Sequence, residues 1–484
     1  MLEGLEITIY NKSEILDDND EFRIDSEYYK KEYLALYKFI SGSPTLGNLT
    51  YMSDLSSNGS FATVAAIKND NNPKTIPFIR SGNVGDTFIN ESDLEFISKE
   101  AHSNLPKSTT ELHEIMMARK GKIGGASIIT EEEVDFNCSE NVIKLRVLEK
   151  DKLNPFFFTS YFNSKFGLKQ VERLSTGNVQ PWVSIFQIRK LMIPVLDMDF
   201  QIEIERLIVQ SHQDNLNSKT NFEDAKNTLL KTIGLQDFES KQTDNYQEIS
   251  LSNSFSSTTR LDAEYYHPKP LFLIDQLKKK EYFLVKDLFE IGNGYSWKSK
   301  YFKEQGEGEP FVRIRNCKDG YIDNKNLTTL DSEYAKGENV EKAKENDIVI
   351  GMDGIRYFYG SLIKKPVYIN QRVCHLTPKD DSEIDSELIL MIINSVIGQT
   401  QLMREMTIAQ TVGHITNASV GNLIIPKLDE KIRNEVSAKI KKSHQLEEES
   451  LHRLEVAKRA VEIAIEGNED IALEFILKET SLKQ

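Results

Sequence analysis

Arg23-Ile-Asp25-Ser-Glu27-Tyr28-Tyr29, near the start of the chain, returns as Arg260-Leu-Asp262-Ala-Glu264-Tyr265-Tyr266 past its middle. The likeness runs outward from there. Upstream, Glu6-Ile-Thr-Ile9 aligns with Glu248-Ile-Ser-Leu251. Downstream, Phe78-Ile-Arg80-Ser-Gly-Asn83 aligns with Phe311-Val-Arg313-Ile-Arg315-Asn316. Both of these run on to an Asp and an aromatic-Ile pair: Asp86 and Phe88-Ile89, then Asp319 and Tyr321-Ile322. Leu191-Met-Ile193-Pro194 falls on Leu423-Ile-Ile425-Pro426, and from there the register holds at an offset of 232. It pairs Leu196-Asp197 with Leu428-Asp429, Ser211-His212-Gln213 with Ser443-His444-Gln445, and Ala225-Lys226 with Ala457-Lys458. Matches in one order at nearly one offset mark a tandem duplication, roughly 1–243 and 244–484. The period is far above that of a solenoid, so each copy is a domain or a pair of domains.

Each half has two textures. The first part carries short β-branched and aromatic runs between turn signals, which read as strands. Examples are Phe61–Ile67, Ala126–Ile129, Val142–Val147, Asp347–Ile350 and Ser361–Ile363. Leu153–Glu172 and Leu388–Glu405 read as helices. The tail of each half reads as one long helix that begins after Pro194 or Pro426, since proline bars a helix from running through it. Apolar residues recur there at three and four: Ile204, Ile208, Phe222, Ala225 and Leu229, then Val436, Ile440, Leu454, Ala457 and Val461. Such a stripe needs a partner. It packs either on its own globular part or on the other tail as an antiparallel coil; duplication favours the coil, because equivalent helices can pair about a pseudo-twofold axis. A helix of about 30 residues spans roughly 45 Å, so a coil of that kind would hold two globular parts apart.

Composition sets limits on function. The 484 residues exceed one ordinary core and predict two to four domains. Charged residues at 28% and hydrophobic ones at 39% describe a globular chain rather than a disordered one. Sixty Lys and Arg against 75 Asp and Glu leave a formal charge of −15, which disfavours a surface that grips nucleic acid all over but permits local basic faces. Cys138, Cys317 and Cys374 are odd in number and scattered, so they supply neither a disulfide framework nor a zinc knuckle. No apolar run approaches membrane-spanning length, and the acidic start lacks a secretory signature. These features point to the cytoplasm, with no membrane partner.

The whole layout resembles the DNA-specificity (S) subunit of a type I restriction–modification enzyme. Both halves carry a Leu/Ile-Asp-x-Glu-Tyr-Tyr lead-in. Val285-Lys-Asp-Leu-Phe-Glu-Ile-Gly-Asn-Gly294-Tyr-Ser is similar to the opening of a target-recognition domain, and Leu46-Gly-Asn-Leu-Thr50 is a weaker version of it. Arg119-Lys-Gly-Lys-Ile-Gly124 resembles the family's central glycine turn. Leu174-Ser-Thr-Gly-Asn-Val-Gln180, leading to Ile193-Pro194, resembles the domain's close before its helical spacer. The resemblance implies an α+β fold: two α/β target-recognition domains, each followed by a long helix, the helices pairing as an antiparallel coiled coil with a pseudo-twofold repeat. The expected divisions are 1–198 (first recognition domain with its lead-in), 199–243 (spacer and linker), 244–428 (second recognition domain) and 429–484 (second spacer).

The function so implied is sequence-specific DNA recognition, each half reading one part of a split target. The spacers would scaffold two methyltransferase subunits, and restriction subunits would join through these. S-adenosylmethionine, ATP and Mg would be bound by those partners and no cofactor by this chain, which would itself be non-catalytic. The second half departs from the first. It has Thr407-Ile-Ala-Gln410-Thr-Val-Gly413-His414 where the first has Ser175-Thr-Gly177-Asn178-Val-Gln180, and its central turn, Gly354–Gly360, is two residues longer than Gly121–Gly125. The two domains should therefore read different half-sites. Two other readings stay open: the specificity chain of a related type II system, and a duplicated coiled-coil adaptor without DNA contacts, which the −15 charge suits.

DNA recognition needs cations for phosphates and planar hydrogen-bonding groups for base edges. Arg80 and Asn83, with Arg313, Arg315, Asn316 and Lys318, offer both on the repeated Phe-[Ile/Val]-Arg segments; the plainer reading is a solvated surface strand. Arg119, Lys120 and Lys122 form the densest basic turn of the first half, a phosphate grip or a plain hairpin. Arg356 occupies the matching turn of the second half. Asn178 and Gln180, beside Trp182, can pair with adenine, and Gln410 and His414 hold the corresponding stretch; polar turns are also often only turns. Trp297 and Lys298 either face a phosphate backbone or set the Trp in the core. The acidic runs Glu447–Glu449, on the second spacer, and Asp380–Glu387, read as a loop, are solvated faces that could also meet a basic partner.

Catalytic motifs are weak. Asp287-Leu-Phe-Glu-Ile-Gly292-Asn-Gly294 resembles a methyltransferase glycine loop with one residue too many, and no Pro-Cys dipeptide exists. Asn154-Pro155-Phe156-Phe157 lacks the second proline of an amino-methyltransferase loop. There is no GxxxxGK[ST] loop for ATP and no HExxH-type metal spacing. Ser211-His212 and its copy stand side by side on a helix, where adjacent residues do not share a face.

Overall fold

The computed structural model describes residues 23–53, 72–121, 123–177, 181–238, 246–303, 306–324, 327–354, 356–379, 385–409 and 412–481, with Ile9, Asn11, Ser13 and Ile15. The Phe61–Ile67 run, Asp380–Glu383 and the site residues Lys122, Asn178, Gln180 and Gln410 lie outside the described residues. The chain divides into two compact units, Met1–Asn215 with Glu447–Gln484, and Leu216–Leu446. That division falls inside the two long helices rather than at 243/244. Among the described residues no helix is long and apolar enough to cross a membrane.

In the first unit the strands are β1 (Thr50–Ser53), β2 (Lys74–Ile79), β3 (Glu95–Ser98), β4 (Ile115–Ala118), β5 (Ser127–Ile128), β6 (Asn137–Cys138) and β7 (Val142–Val147). They form an antiparallel sheet of order β1–β7–β4–β5 and a mixed sheet of order β3–β2–β6. The β7 run lies where its β-branched residues predict it. Opposite Met116, Lys144 of β7 is buried with its ammonium on Glu114 (2.9 Å) and on the Thr109 carbonyl; Arg146 reaches the other Glu114 oxygen at 3.1 Å. Each buried charge thus meets an opposite charge, and Lys144 a carbonyl as well, which offsets the cost of burying ions.

Two helices follow, α1 (Pro155–Asn163) and α2 (Lys165–Leu174). The sequence reads as one helix from 153 to 172; the chain breaks it at Ser164, which is extended (φ −80°, ψ 168°). Asn154 caps α1 by accepting from the amides of Phe156 and Phe157, with Pro155 at the first turn. Gly167 permits the hairpin: a Cβ there would lie 2.3 Å from the Phe162 Cα. Phe157, Phe158, Tyr161, Phe162 and Phe166 are fully buried and fill the core.

The second unit contains β8 (Tyr282–Leu284), β9 (Phe289–Asn293), β10 (Phe302–Lys303), β11 (Glu309–Val312), β12 (Thr328–Leu330), β13 (Ile348–Gly351), β14 (Asp353–Gly354), β15 (Gly360–Leu362), β16 (Tyr368–Ile369), β17 (Val373–Pro378), β18 (Thr407–Ala409), β19 (Val412–His414) and β20 (Ile424–Pro426). Its sheets are β15–β13–β17–β9, β10–β12–β11–β16, β14–β19–β18 and β20–β8. The long helix α3 (Met198–Ile233) precedes these strands, as does α4 (Pro268–Lys278). The helical hairpin is α5 (Ser386–Asn394) and α6 (Val396–Glu405), broken at Ser395, with Gly398 closing on Ile393 as Gly167 closes on Phe162. Asp385 caps α5, so Ser386 and Glu387 are helical, which corrects the expectation of a loop there: the cap and the apolar run behind it extend the helix to Ser386.

The repeated lead-in has the same work in both units. Asp25 takes two bonds from Arg23 (both 2.9 Å), and Arg23 Nη1 donates to the carbonyls of Arg173, Leu174 and Ser175, the unpaired end of α2. Tyr28 lies between Arg23 and Arg173, at 4.9 and 4.2 Å from its ring centre. In the second unit Asp262 holds Arg260, which donates to the Glu405 and Met406 carbonyls at the end of α6. Tyr265 lies between Arg260 and Arg404, at 4.4 and 3.7 Å. The motif pins the chain to the exposed carbonyls of a helix end, where cations are favoured.

After α3 the second long helix is α7 (Glu430–Glu466), followed by α8 (Glu469–Ser481), whose Ala472 and Ile476 enter the first core. In the first unit Ile204 and Ile208 of α3 share a core with Ala457 and Val461 of α7, and Ser211 Oγ donates to the Ser450 carbonyl at 2.9 Å. In the second unit Ala225 and Leu229 of α3 share a core with Val436 and Ile440 of α7, and Ser443 Oγ donates to the Ser218 carbonyl at 2.9 Å.

Candidate nucleic-acid interface

The site residues gather around short hairpins. In the second unit β19 lies between β14 and β18: Asp353 is opposite His414, which is opposite Thr407 on its other side. The carboxylate of Asp353 bonds His414 Nδ1 at 2.7 Å, and Arg372 Nη1 lies 3.7 Å from the same oxygen. Arg356 and Tyr357 are exposed on the loop that leaves β14, and the Tyr357 and Tyr359 rings stack at 5.5 Å. In the first unit isolated bridges build the same arrangement, with Trp182 opposite both Thr176 and Lys120. The Gly121 amide donates to the Pro181 carbonyl and the Val183 amide to that of Arg119. Gly121, Gly124 and Gly125 all have positive φ, which an L side chain resists, so the basic turn depends on glycine. Lys120 is exposed and Arg119 half-buried.

The repeated Phe-[Ile/Val]-Arg segments stand beside these hairpins. A Cβ on Gly121 would lie 4.0 Å from Ser81 Oγ, and one on Gly351 would lie 3.1 Å from Ile314. The amide of Lys318 donates to Ser361 Oγ. Two expectations for these segments are corrected. Asn83 and Asn316 are buried, at 4% and 0% exposure, and hold the turn together. Asn83 Oδ1 accepts from the Arg80 amide (2.9 Å) and its Nδ2 donates to the Asn90 carbonyl; Asn316 does the same with Arg313 and Asp323. Their amides are spent within the fold. The arginines differ: Arg80 is exposed and bonds Glu95 at 2.6 Å, Arg313 is half-buried, and the exposed Arg315 donates to Thr328 Oγ1.

Trp297 takes the plainer of its two readings, and the expectation of a backbone-facing ring is corrected. It is 6% exposed, its Nε1 donates to the Ile369 carbonyl (3.0 Å), and Tyr295, Phe311, Tyr334 and Tyr368 surround it. A large apolar ring with one satisfied N–H gains most by burial. Lys298 beside it is exposed.

The sequence missed Asp353, Trp182 and the Tyr357–Tyr359 pair as members of the site. Trp182, at 42% exposure, carried a signal, since a large aromatic in a polar stretch is costly to leave in water without purpose. Asp353 carried none.

No catalytic pair emerges from Ser211-His212: the Ser bonds Ser450, whereas His212 Nε2 faces Glu132 Oε2 at 3.2 Å. With Glu131 these form a group of close ligand atoms at the protein surface. Burial pushes the thiols of Cys138, Cys317 and Cys374 up to about 12, so they stay protonated.

Residues 278–449 match the family model described as Type I restriction modification DNA specificity domain. The matched stretch includes β9, β14, β19 and the start of α7. A curated relative, the Type I restriction enzyme EcoBI specificity subunit of Escherichia coli, is 26% identical over 139 residues. That match spans 28% of this chain and 26% of the relative, about a quarter of its length. The S subunit of a type I restriction–modification system from M. genitalium is 13% identical, with a TM-score of 0.38 over 90% of this chain and 95% of that one. The HsdS subunit of Thermoanaerobacter tengcongensis is also 13% identical, with a TM-score of 0.27 over 88% and 96%.

Proposed function

We propose that this chain is the sequence-reading subunit of a type I restriction–modification complex. The observation that carries the reading is the match of residues 278–449 to a specificity-domain model, with an exposed Arg356 and a half-exposed His414 on the hairpins of that stretch. The first unit repeats the lead-in motif, the helical hairpin and the Trp182 arrangement, and this supports an internal repeat with one recognition domain in each half. The paired serines on α3 and α7 support an antiparallel coiled coil: Ser211 and Ser443 are equivalent at the offset of 232, and so are Ser218 and Ser450. The domains we propose are 1–198 and 244–428 as readers, with 199–243 and 429–484 as spacers.

Arg80, Arg119, Lys120, Lys298, Arg313, Arg315, Lys318, Arg356 and His414 are the DNA-facing set. Lys122, Asn178, Gln180 and Gln410 join it from the sequence alone. The cations bind phosphates and fix register; the side chains at the hairpins read bases. The chain is non-catalytic. Double-stranded DNA and methyltransferase subunits are its partners, restriction subunits join through these, S-adenosylmethionine, ATP and Mg belong to the partners, and the complex works in the cytoplasm.

A salt titration tests the reading. The assembled complex on a target-bearing duplex should lose affinity steeply as salt rises, because each neutralised phosphate releases counterions. An affinity that stays flat with salt contradicts it and favours the adaptor reading.

A further inference from the structure

We propose that Asp353 is the positioning residue that makes His414 a base reader, and that together they select a base with an exocyclic amino group in one half-site. The inference rests on the DNA-recognition reading above. Asp353 and His414 sit directly opposite each other on β14 and β19, so backbone pairing fixes their separation before either side chain moves. An ionised carboxylate only accepts hydrogen bonds, so at 2.7 Å His414 Nδ1 carries the hydrogen and donates it to Asp353 Oδ1. With Nδ1 as the donor, the neutral form of the ring has its lone pair on Nε2, and that form is the one proposed to read the base. Among the described residues Nε2 has no partner, and the side chain is 32% exposed. Arg372 Nη1 lies 3.7 Å from the same carboxylate oxygen.

Base edges present two kinds of group in this position. Adenine N6 and cytosine N4 donate, whereas guanine O6 and thymine O4 accept. A ring nitrogen that only accepts bonds the first kind and leaves the second unpaired. The Asp therefore acts on sequence choice through the tautomer it imposes, without touching DNA. The first unit has Lys120 and Trp182 at this place, a pair that holds no such acceptor. The preference should thus belong to one half-site only.

The test is selection of a randomised duplex library by the complete chain assembled with its methyltransferase subunits. The wild type should favour adenine or cytosine at one position by roughly ten-fold. His414→Ala should abolish that preference and leave the other positions unchanged. Asp353→Asn, whose amide can donate to Nδ1 and reverse the tautomer, should relax the preference or turn it toward guanine or thymine. Asp353→Glu should keep it. A His414→Ala library identical to the wild type overturns the inference. So does an even loss at all positions, which marks a structural role. A wild-type complex that selects no sequence overturns the recognition reading itself, and is told apart from the other two by its failure before any substitution.

Discussion

Where Thr176 and Lys120 flank Trp182 in the first unit, Thr407 and Asp353 flank His414 in the second. The two sites share a hairpin layout and differ in the chemistry they display. One unit offers a cation and a large aromatic face; the other offers a carboxylate-held imidazole. The same divergence runs beneath the surface. Lys144 lies opposite Met116 with its ammonium paired to Glu114, whereas the second unit has His375 opposite Val349. His375 lies against Gly292, and among the described residues its buried Nδ1 has no partner. In the two units the groups that close helices and turns are alike, and those on the hairpins and in one layer of the core differ.

Several substitutions can break or sharpen this comparison. The largest effect belongs to Glu114→Ala. It strands the buried Lys144, while Arg146 keeps Glu111 at 2.8 Å, and should destabilise the first unit by about 3–5 kcal/mol in denaturant unfolding. The second unit should be untouched. Next come Ile208→Ala and its equivalent Ile440→Ala, each expected to cost about 2–5 kcal/mol by opening a cavity at the helix pairing. A loss confined to one of the two would break the equivalence of the tails. Arg23→Ala and Arg260→Ala should each cost about 1–2 kcal/mol, because each arginine serves two or more helix-end carbonyls from a part-exposed position. They should also release Asp25 and Asp262, whose carboxyls the arginines hold below the usual range.

The smallest effect is on pH. Burial holds His375 below its ordinary value of 6.5. The unfolded chain therefore takes up this proton first as pH falls, so the stability is complete above about 6.5 and declines below it. His375→Gln should flatten the melting temperature of the second unit between pH 6.5 and 5. An unchanged slope would show that other groups set its acid sensitivity.

Much of this architecture was legible in the sequence, for physical reasons. The runs at 142–147 and 347–350 became β7 and β13 because β-branched residues suit a buried sheet. The apolar stripe from Ile204 to Val461 marked buried faces because helical period is fixed by geometry. The helices at 153 and 388 were legible as helices but not as hairpins, since a serine cap and a close glycine look ordinary in a helical run. The site was less legible. Asp353 and His414 are 61 positions apart, and only strand pairing joins them. Asn83 and Asn316 repeat because a turn needs them, and repetition alone does not separate a scaffold residue from a reader. Trp297 stands among lysines in sequence, yet its neighbours in space are aromatic.

The central claim is that each half reads its own part of a split target. The direct measurement exchanges residues 25–195 for the matching segment of another specificity subunit. The variant is co-expressed with the methyltransferase subunits, and methylated adenines are mapped. The account predicts a split motif in which one half changes and the other is kept. A methylation pattern unaltered by the exchange would contradict it.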